Sequence, residues 1–309
     1  MKPHRNESGL QPVFRFAPSP NGELHLGHAL SAIVGHDWAR RTGGRFLVRI
    51  ENIDQSRARP DFESSILDDL AWLGLKWEEP VLRQSEHFDV YRRAADQLAA
   101  LGVLYPCFAT RSEIAVGVAA RVAAGRPEER DPDGAPLYPG LHKAMSGEEF
   151  ARRIAAGERP AYRLDMERAL AIADERLSGL QLTFHEISAG GAISRIVANP
   201  ARWGDVVLVR KDTPTSYHLS VVVDDARQAV THVTRGQDLY PATDLHRLLQ
   251  VLLDLPEPVY HHHQLLLGPD GRKLAKSMGA PRLKDLRRAG VTPEEVRQML
   301  GLQTAPRAE

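Results

Sequence analysis

Residues 16 to 28, Phe-Ala-Pro-Ser-Pro-Asn-Gly-Glu-Leu-His-Leu-Gly-His, constrain this chain more than any other stretch. The apolar run Val13 to Phe16 reads as a short buried strand, and the prolines, asparagine and glycine that follow permit neither a helix nor a sheet ladder. A helical pattern then starts near Gly27. A strand that turns directly into a helix presents free N–H groups and about half a positive charge at the helix mouth, which suits phosphate. His25 and His28, three residues apart at that mouth, can both donate to phosphate oxygens, and Gly27 lets ligand atoms approach the backbone. The competing reading is a plain strand–turn–helix with surface histidines.

Near the other end, residues 268 to 277, Gly-Pro-Asp-Gly-Arg-Lys-Leu-Ala-Lys-Ser, form a glycine-rich segment with Lys273 and Lys276 three apart. Such a segment can bring positive charge to a developing pyrophosphate. The G-x-x-x-x-G-K-[ST] spacing is missing, which argues against a P-loop kinase or ATPase.

Composition bounds the rest. The 309 residues suffice for two domains, or for one domain with a large insertion. A single cysteine, Cys107, excludes an internal disulfide, and neither a signal peptide nor a long apolar run stands out, so a cytoplasmic protein with no membrane association is expected. Formal net charge is zero, so a nucleic-acid partner would need a local basic face. Arg40, Arg41, Arg45, Arg202, Lys211, Arg247, Arg282, Lys284, Arg287 and Arg288 are the candidates for it.

Along the chain, residues 1–12 read as a loose extension. Residues 13–103 read as a first α/β half: a strand at Val13 to Phe16, a helix from Gly27 to Arg41, a strand at Phe46 to Ile50, and a helix after Pro60 running to Leu73. A further helix is expected with Ser85 as its cap, Phe88, Tyr91, Leu98 and Leu101 as its core stripe, and Gly102 as its stop. Residues 104–199 change pattern and read as an inserted α+β subdomain. Its helices follow Thr110 and Ser146, each with a capping-box spacing, to Glu113 and Glu149; a loop runs from Gly125 to Gly140, and strands cover Ala161 to Leu164 and Leu180 to Phe184. Residues 200–258 resume the first pattern, with strands at Val206 to Arg210, Ser220 to Val223 and His232 to Thr234 and a helix from Ala242 to Leu253. Residues 259–309 hold the lysine segment and a last helix opened by Thr292-Pro-Glu-Glu. The fold class expected is α/β, a parallel Rossmann-type sheet with a ligand at the carboxyl ends of its strands.

Four further segments narrow the family: Arg15 to Pro20, Arg49 to Asp54, Tyr217 to Asp225 and His232 to Asp238. In this order they resemble glutamyl-tRNA synthetases, while His25-Leu-Gly-His28 and Lys273-Leu-Ala-Lys-Ser277 resemble the two signatures of class I aminoacyl-tRNA synthetases. The resemblance runs from about Phe14 to Leu302 and omits the helical anticodon-binding region of full-length members. It implies ATP-dependent activation of L-glutamate with Mg²⁺, by a monomer whose insertion contacts tRNA. For a truncated member it further implies transfer of glutamate to the queuosine base in the anticodon stem-loop of tRNA(Asp). The alternatives are a truncated glutamyl-tRNA synthetase charging a tRNA 3′ end, a non-catalytic tRNA-binding paralogue, and an unrelated nucleotidyltransferase.

Residue by residue, the resemblance assigns catalysis to His25, His28, Lys273 and Lys276, and ATP binding to His25, Gly27, His28 and Lys276. It assigns glutamate binding to Arg15, Phe16, Ala17, Pro18, Ser19, Glu51, Tyr217 and Arg235. The chemistry agrees: a carboxylate nucleophile is already ionised and needs no general base, whereas holding glutamate needs one acid and paired arginines. Many relatives bind zinc in the insertion through three cysteines and a tyrosine. The matching positions here are Cys107, Ala109, Tyr138 and His142, so a tetrahedral zinc site is not expected. Nor is one expected at His261-His-His263, because alternate side chains on an extended segment diverge. Asn52, Gln55, Ser56 and Ala275 are milder departures from the family pattern.

Overall fold

The computed structural model describes residues 11–266 and 281–302. In chain order the strands are β1 (Val13–Phe16), β2 (Arg45–Ile50), β3 (Glu78–Arg83), β4 (Leu104–Cys107), β5 (Ala161–Leu164), β6 (Thr183–Ile187), β7 (Ile193–Val197), β8 (Val207–Val209), β9 (His232–Gly236) and β10 (Val259–His263). The α-helices are α1 (Leu26–Thr42), α2 (Pro60–Trp72), α3 (Phe88–Ala100), α4 (Arg111–Ala123), α5 (Gly147–Ala155), α6 (Met166–Arg176), α7 (Tyr217–Arg227), α8 (Ala242–Leu253), α9 (Leu283–Arg288) and α10 (Pro293–Met299).

A seven-stranded sheet in the order β3-β2-β1-β9-β10-β6-β7 carries the fold, parallel throughout except for the β6–β7 pair. Side chains alternate along its strands, and that alternation builds both a core and a site. On β1 and β2, Phe14, Phe16, Phe46, Val48 and Ile50 pack in one cluster with α1, α2 and the C-terminal Leu283, Val296 and Leu300. Arg15 and Arg49 alternate with them and meet Asp225 of α7 instead. A second cluster joins α3, α6, α7 and α8 through Tyr91, Leu98, Ala173, Val221, Leu245 and Leu249. Helix α1 lies close on β9: a Cβ at Gly35 would stand 2.7 Å from the Thr234 hydroxyl.

Most expected elements are present, and the departures have physical reasons. The Ser220 to Val223 strand is a helical turn within α7, because its apolar residues are buried around the helix rather than on one face. Ser85 does not cap α3; it lies in a short 3₁₀ turn, Gln84–Glu86, and His87 precedes the helix without a side-chain cap. The strand expected at Leu180 to Phe184 starts at Thr183 and pairs with β7, and both extend the large sheet although they fall within residues 104–199. β8 instead completes a small antiparallel sheet, β4-β5-β8. The capping boxes at Thr110 and Thr292 form, and Gly102 ends α3 with φ of 69°. Ser146 caps α5, but Glu149 turns to Arg152 and Arg153 instead of closing its box.

Much of the expected basic face is locally neutralised. Arg45 pairs with Glu78, Arg202 with Asp244, Arg247 with Glu257, Lys284 with Glu23 and Arg287 with Asp69. Among the described residues no helix is long and apolar enough to cross a membrane.

Candidate active site

A cavity of about 510 Å³ opens at the carboxyl ends of β1, β2 and β9. Its lining includes Arg15, Phe16, Ala17, Pro18, Ser19, His25, Gly27, His28, Glu51, Tyr217 and Arg235, so the structure brings together every described residue of the expected site. Lys273 and Lys276 lie outside the described residues. The described chain on both sides of them is at the cavity: Leu266 lines it, and Arg282 forms a β-bridge with His25.

At the helix mouth, each histidine uses one ring nitrogen on the backbone. Gly27 N–H donates to His25 Nδ1 at 3.1 Å, and His25 N–H donates to His28 Nδ1 at 3.2 Å. With both Nδ1 atoms accepting, the proton of each neutral ring sits on Nε2, which makes Nε2–H the donor of each ring. The rings lie 3.9 Å apart. A Cβ at Gly27 would stand 3.0 Å from the His25 ring, so glycine preserves this packing.

The opposite wall is a buried charge layer. Asp225 accepts from Arg15 Nε at 3.0 Å and from Arg49 at 2.8 Å, and Arg49 also donates to Glu51 at 3.1 Å. Burial opposes ionisation of Asp225, but Arg15 and Arg49 outweigh it and hold its pKa below the usual carboxylate range. Glu51 goes the other way: burial pushes its pKa up despite Arg49 and Arg15.

Arg235 is held differently, by neutral acceptors. It donates from Nε to His262 Nε2 at 3.0 Å and from Nη2 to Thr243 Oγ1 at 2.7 Å, and its Nη1 contacts His246 Nδ1 at 3.3 Å. The parallel register sets His262 directly beside Arg235. Glu186 contacts His262 Nδ1 at 2.8 Å, which fixes the proton there and leaves Nε2 as the acceptor for Arg235. Burial and the nearby Arg235 keep His246 well below its ordinary pKa, and burial takes His262 down to about 4 despite Glu186. No carboxylate of the described residues pairs with Arg235. Arg15 and Arg49 are thus paired with carboxylates, whereas Arg235 is held by neutral partners alone and can take a ligand carboxylate.

The sequence reading omits Asp225 and Arg49 as site partners and Glu186, Thr243 and His246 altogether, and it weighs His262 only as part of a rejected metal triplet. Alternation on β10 is the usable signal: His262 faces Arg235, whereas His263 reaches Ser31 at 2.8 Å.

The zinc positions are close but unsuited to the metal. Cys107 Sγ contacts Tyr138 Oη at 3.3 Å, and the Arg163 guanidinium lies 3.8 Å from the Tyr138 ring centroid while its Nε donates to Cys107 Sγ at 3.4 Å. A dication bound by that thiol and phenol would sit against a fixed cation, with Ala109 supplying no donor. The residues present do not fit tetrahedral zinc.

Residues 13–308 match the family model described as tRNA synthetases class I (E and Q), catalytic domain. The chain belongs to that family. It is 45% identical to the Glutamyl-Q tRNA(Asp) synthetase of Rhodobacter capsulatus, over 94% of this chain and 100% of that protein. It is 40% identical to the protein of the same name from Symbiobacterium thermophilum, over 91% and 83%. Among solved structures, a glutamate tRNA ligase from Elizabethkingia meningosepticum in complex with its amino acid matches with a TM-score of 0.67 and 28% identity. That match covers 87% of this chain, which spans 53% of the ligase.

Proposed function

We propose that this member of the class I synthetases activates L-glutamate with ATP and transfers it to the queuosine base in the anticodon of tRNA(Asp). The observation that carries the first step is the charge layer. In this reading Glu51, which lines the cavity, takes the substrate ammonium, and the carboxylates fall to Arg15 and to Arg235, which lacks a described countercharge. Glutamine would leave that buried guanidinium unpaired, at a cost of several kcal/mol, so glutamate is selected. Phe16 to Ser19 and Tyr217 shape the pocket around it.

In activation, an oxygen of the glutamate α-carboxylate bonds to the α-phosphorus of ATP, and pyrophosphate leaves with the electron pair of the bond that breaks. Nε2–H of His25 and of His28, at the N-terminus of α1, stabilise the phosphate charge, and Lys273 and Lys276 serve the departing pyrophosphate. Mg²⁺ bound with ATP would supply further positive charge for the leaving pyrophosphate. In transfer, a hydroxyl oxygen of the acceptor bonds to the glutamyl carbonyl carbon, AMP leaves, and the hydroxyl proton passes to a phosphate oxygen. The similarity to two proteins named for this acceptor, one matched along its whole length, supports queuosine over a 3′ end.

The direct test of the first half is ATP–pyrophosphate exchange. Exchange that depends on glutamate, proceeds without tRNA and does not respond to glutamine is expected. Its absence in folded protein would refute the assignment.

A further inference from the structure

Between Phe108 and Ala161 the chain has no buried residue, and neither α4 nor α5 buries one. Burial of apolar surface ordinarily offsets the entropy of ordering a chain. Without it, this part of the insertion depends on polar links to the small sheet it departs from.

Arg163 makes such a link. It stands on β5, the central strand of that sheet, opposite Tyr105 of β4, and Cys107 lies two residues further along β4 on the same face. Arg163 Nε donates to Cys107 Sγ at 3.4 Å, its Nη1 donates to the Asp205 carbonyl at 2.7 Å, and its guanidinium lies 3.8 Å from the Tyr138 ring centroid. The Cys107 thiol donates in turn to Tyr138 Oη at 3.3 Å, and the same oxygen accepts from the His142 backbone N–H at 3.0 Å. The His142 ring itself packs edge-on against Phe108, 6.3 Å between centroids. One guanidinium therefore joins β4, the stretch before β8 and the loop that carries Tyr138 and His142. Lys143 adds ion pairs to Asp165 at 2.7 Å and to Asp205 at 3.3 Å.

These acceptors suit an organic cation. A planar guanidinium takes a neutral sulfur, a carbonyl oxygen and a ring face together, whereas zinc takes ionised thiols in a tetrahedron. Positions 107, 138 and 142, three of the four zinc positions of relatives, are thus drawn together with no donor needed at Ala109. We propose that Arg163 is a positioning residue that does here what the metal does in those relatives: it clasps Cys107 and Tyr138 and so fixes the insertion beside the active site. Residues 135–138 are the part fixed most directly, and they line a cavity that shares Tyr217, Asp238 and Leu239 with the glutamate cavity. The reaction affected is transfer, in which the insertion meets tRNA, and in that respect the proposal rests on the function proposed above.

The test compares wild type with Arg163→Met, Arg163→Lys, the double variant Ala109→Cys/His142→Cys, and a triple variant that adds Arg163→Met to the double. Zinc content, Tm, glutamate-dependent pyrophosphate exchange and transfer of labelled glutamate to queuosine-containing tRNA(Asp) are measured for each. In Arg163→Met the tRNA KM should rise about tenfold and Tm should fall by about 5 °C, with exchange within about twofold of wild type. Arg163→Lys keeps the charge without the planar fork and should behave likewise. The triple variant should hold one zinc per chain and regain most of the lost Tm and KM, and a chelator should reverse the gain. The double variant, with Arg163 still in place, should hold none. Wild-type Tm and KM in Arg163→Met or in Arg163→Lys overturn the clasp, as does a tightly held zinc in the double variant. Loss of exchange in step with transfer in both single variants overturns the local role. A wild-type protein that exchanges pyrophosphate but transfers nothing to this tRNA overturns the acceptor assignment, and zinc content and Tm then decide the proposal by themselves.

Discussion

Replacing Asp225 with Asn should both loosen the fold and misplace the glutamate site. Asp225 accepts from Arg15 Nε at 3.0 Å, from a second Arg15 nitrogen at 3.3 Å and from Arg49 at 2.8 Å. Hydrogen bonds to charged groups contribute about 1.5–3 kcal/mol each, and an asparagine keeps one acceptor while turning an NH₂ donor toward the guanidiniums. It also leaves Arg15 and Arg49 buried against Glu51 as the remaining carboxylate of the layer. Breaking a buried pair in this way costs about 3–5 kcal/mol, which at about 2–3 °C per kcal/mol lowers Tm by roughly 6–15 °C. Circular dichroism melts at neutral pH measure it. Because the folded pKa of Asp225 lies below its unfolded value, its stabilisation is present above the ordinary carboxylate range and is lost as pH falls through the folded value. The gap between wild type and variant should therefore close under acid. A Tm loss below about 2 °C at neutral pH, or a gap that widens in acid, would refute the reasoning.

Glu51 predicts the opposite pH signature in binding. Its pKa is raised above 4.5 by burial, and only the ionised form pairs with the substrate ammonium, so the glutamate KM should rise with acid while a free carboxylate would still be ionised. A KM that stays constant down to pH 4.5 would contradict this. His262→Ala should free Arg235 and raise the glutamate KM about tenfold with a smaller change in kcat, and Glu186→Gln should do so more weakly; equal losses in kcat and kcat/KM would point elsewhere. A strong chelator should leave Tm unchanged, since Arg163 occupies the neighbourhood of Cys107 and Tyr138; one tightly held zinc per chain by elemental analysis would contradict that.

Much of the fold is legible in the sequence, and the limits are physical. Short-range signals carried far: the turn between β1 and α1, the capping residues Thr110, Ser146 and Thr292, and the stop at Gly102 all depend on neighbours within a few residues. Residues 220–223 misled because Val221, Val222 and Val223 have strand propensity, whereas they are helical where α7 packs against α3 and α8. The proposed binding residues were recognisable from motifs, whereas their supports were not. The Asp225 bonds to Arg15 and Arg49 span 210 and 176 residues, and Glu186 reaches His262 across 76. No local pattern encodes pairings of that length.

The central claim is where glutamate ends up, and locating a labelled glutamate on tRNA tests it most directly. Purified protein, ATP and radiolabelled glutamate would be incubated with tRNA(Asp) from cells that make queuosine and from cells that cannot, and with tRNA(Glu). The account predicts label on the first tRNA alone, retained in the anticodon fragment after nuclease digestion. Label on the 3′-terminal adenosine of tRNA(Glu), or equal labelling of both tRNA(Asp) samples, would contradict it.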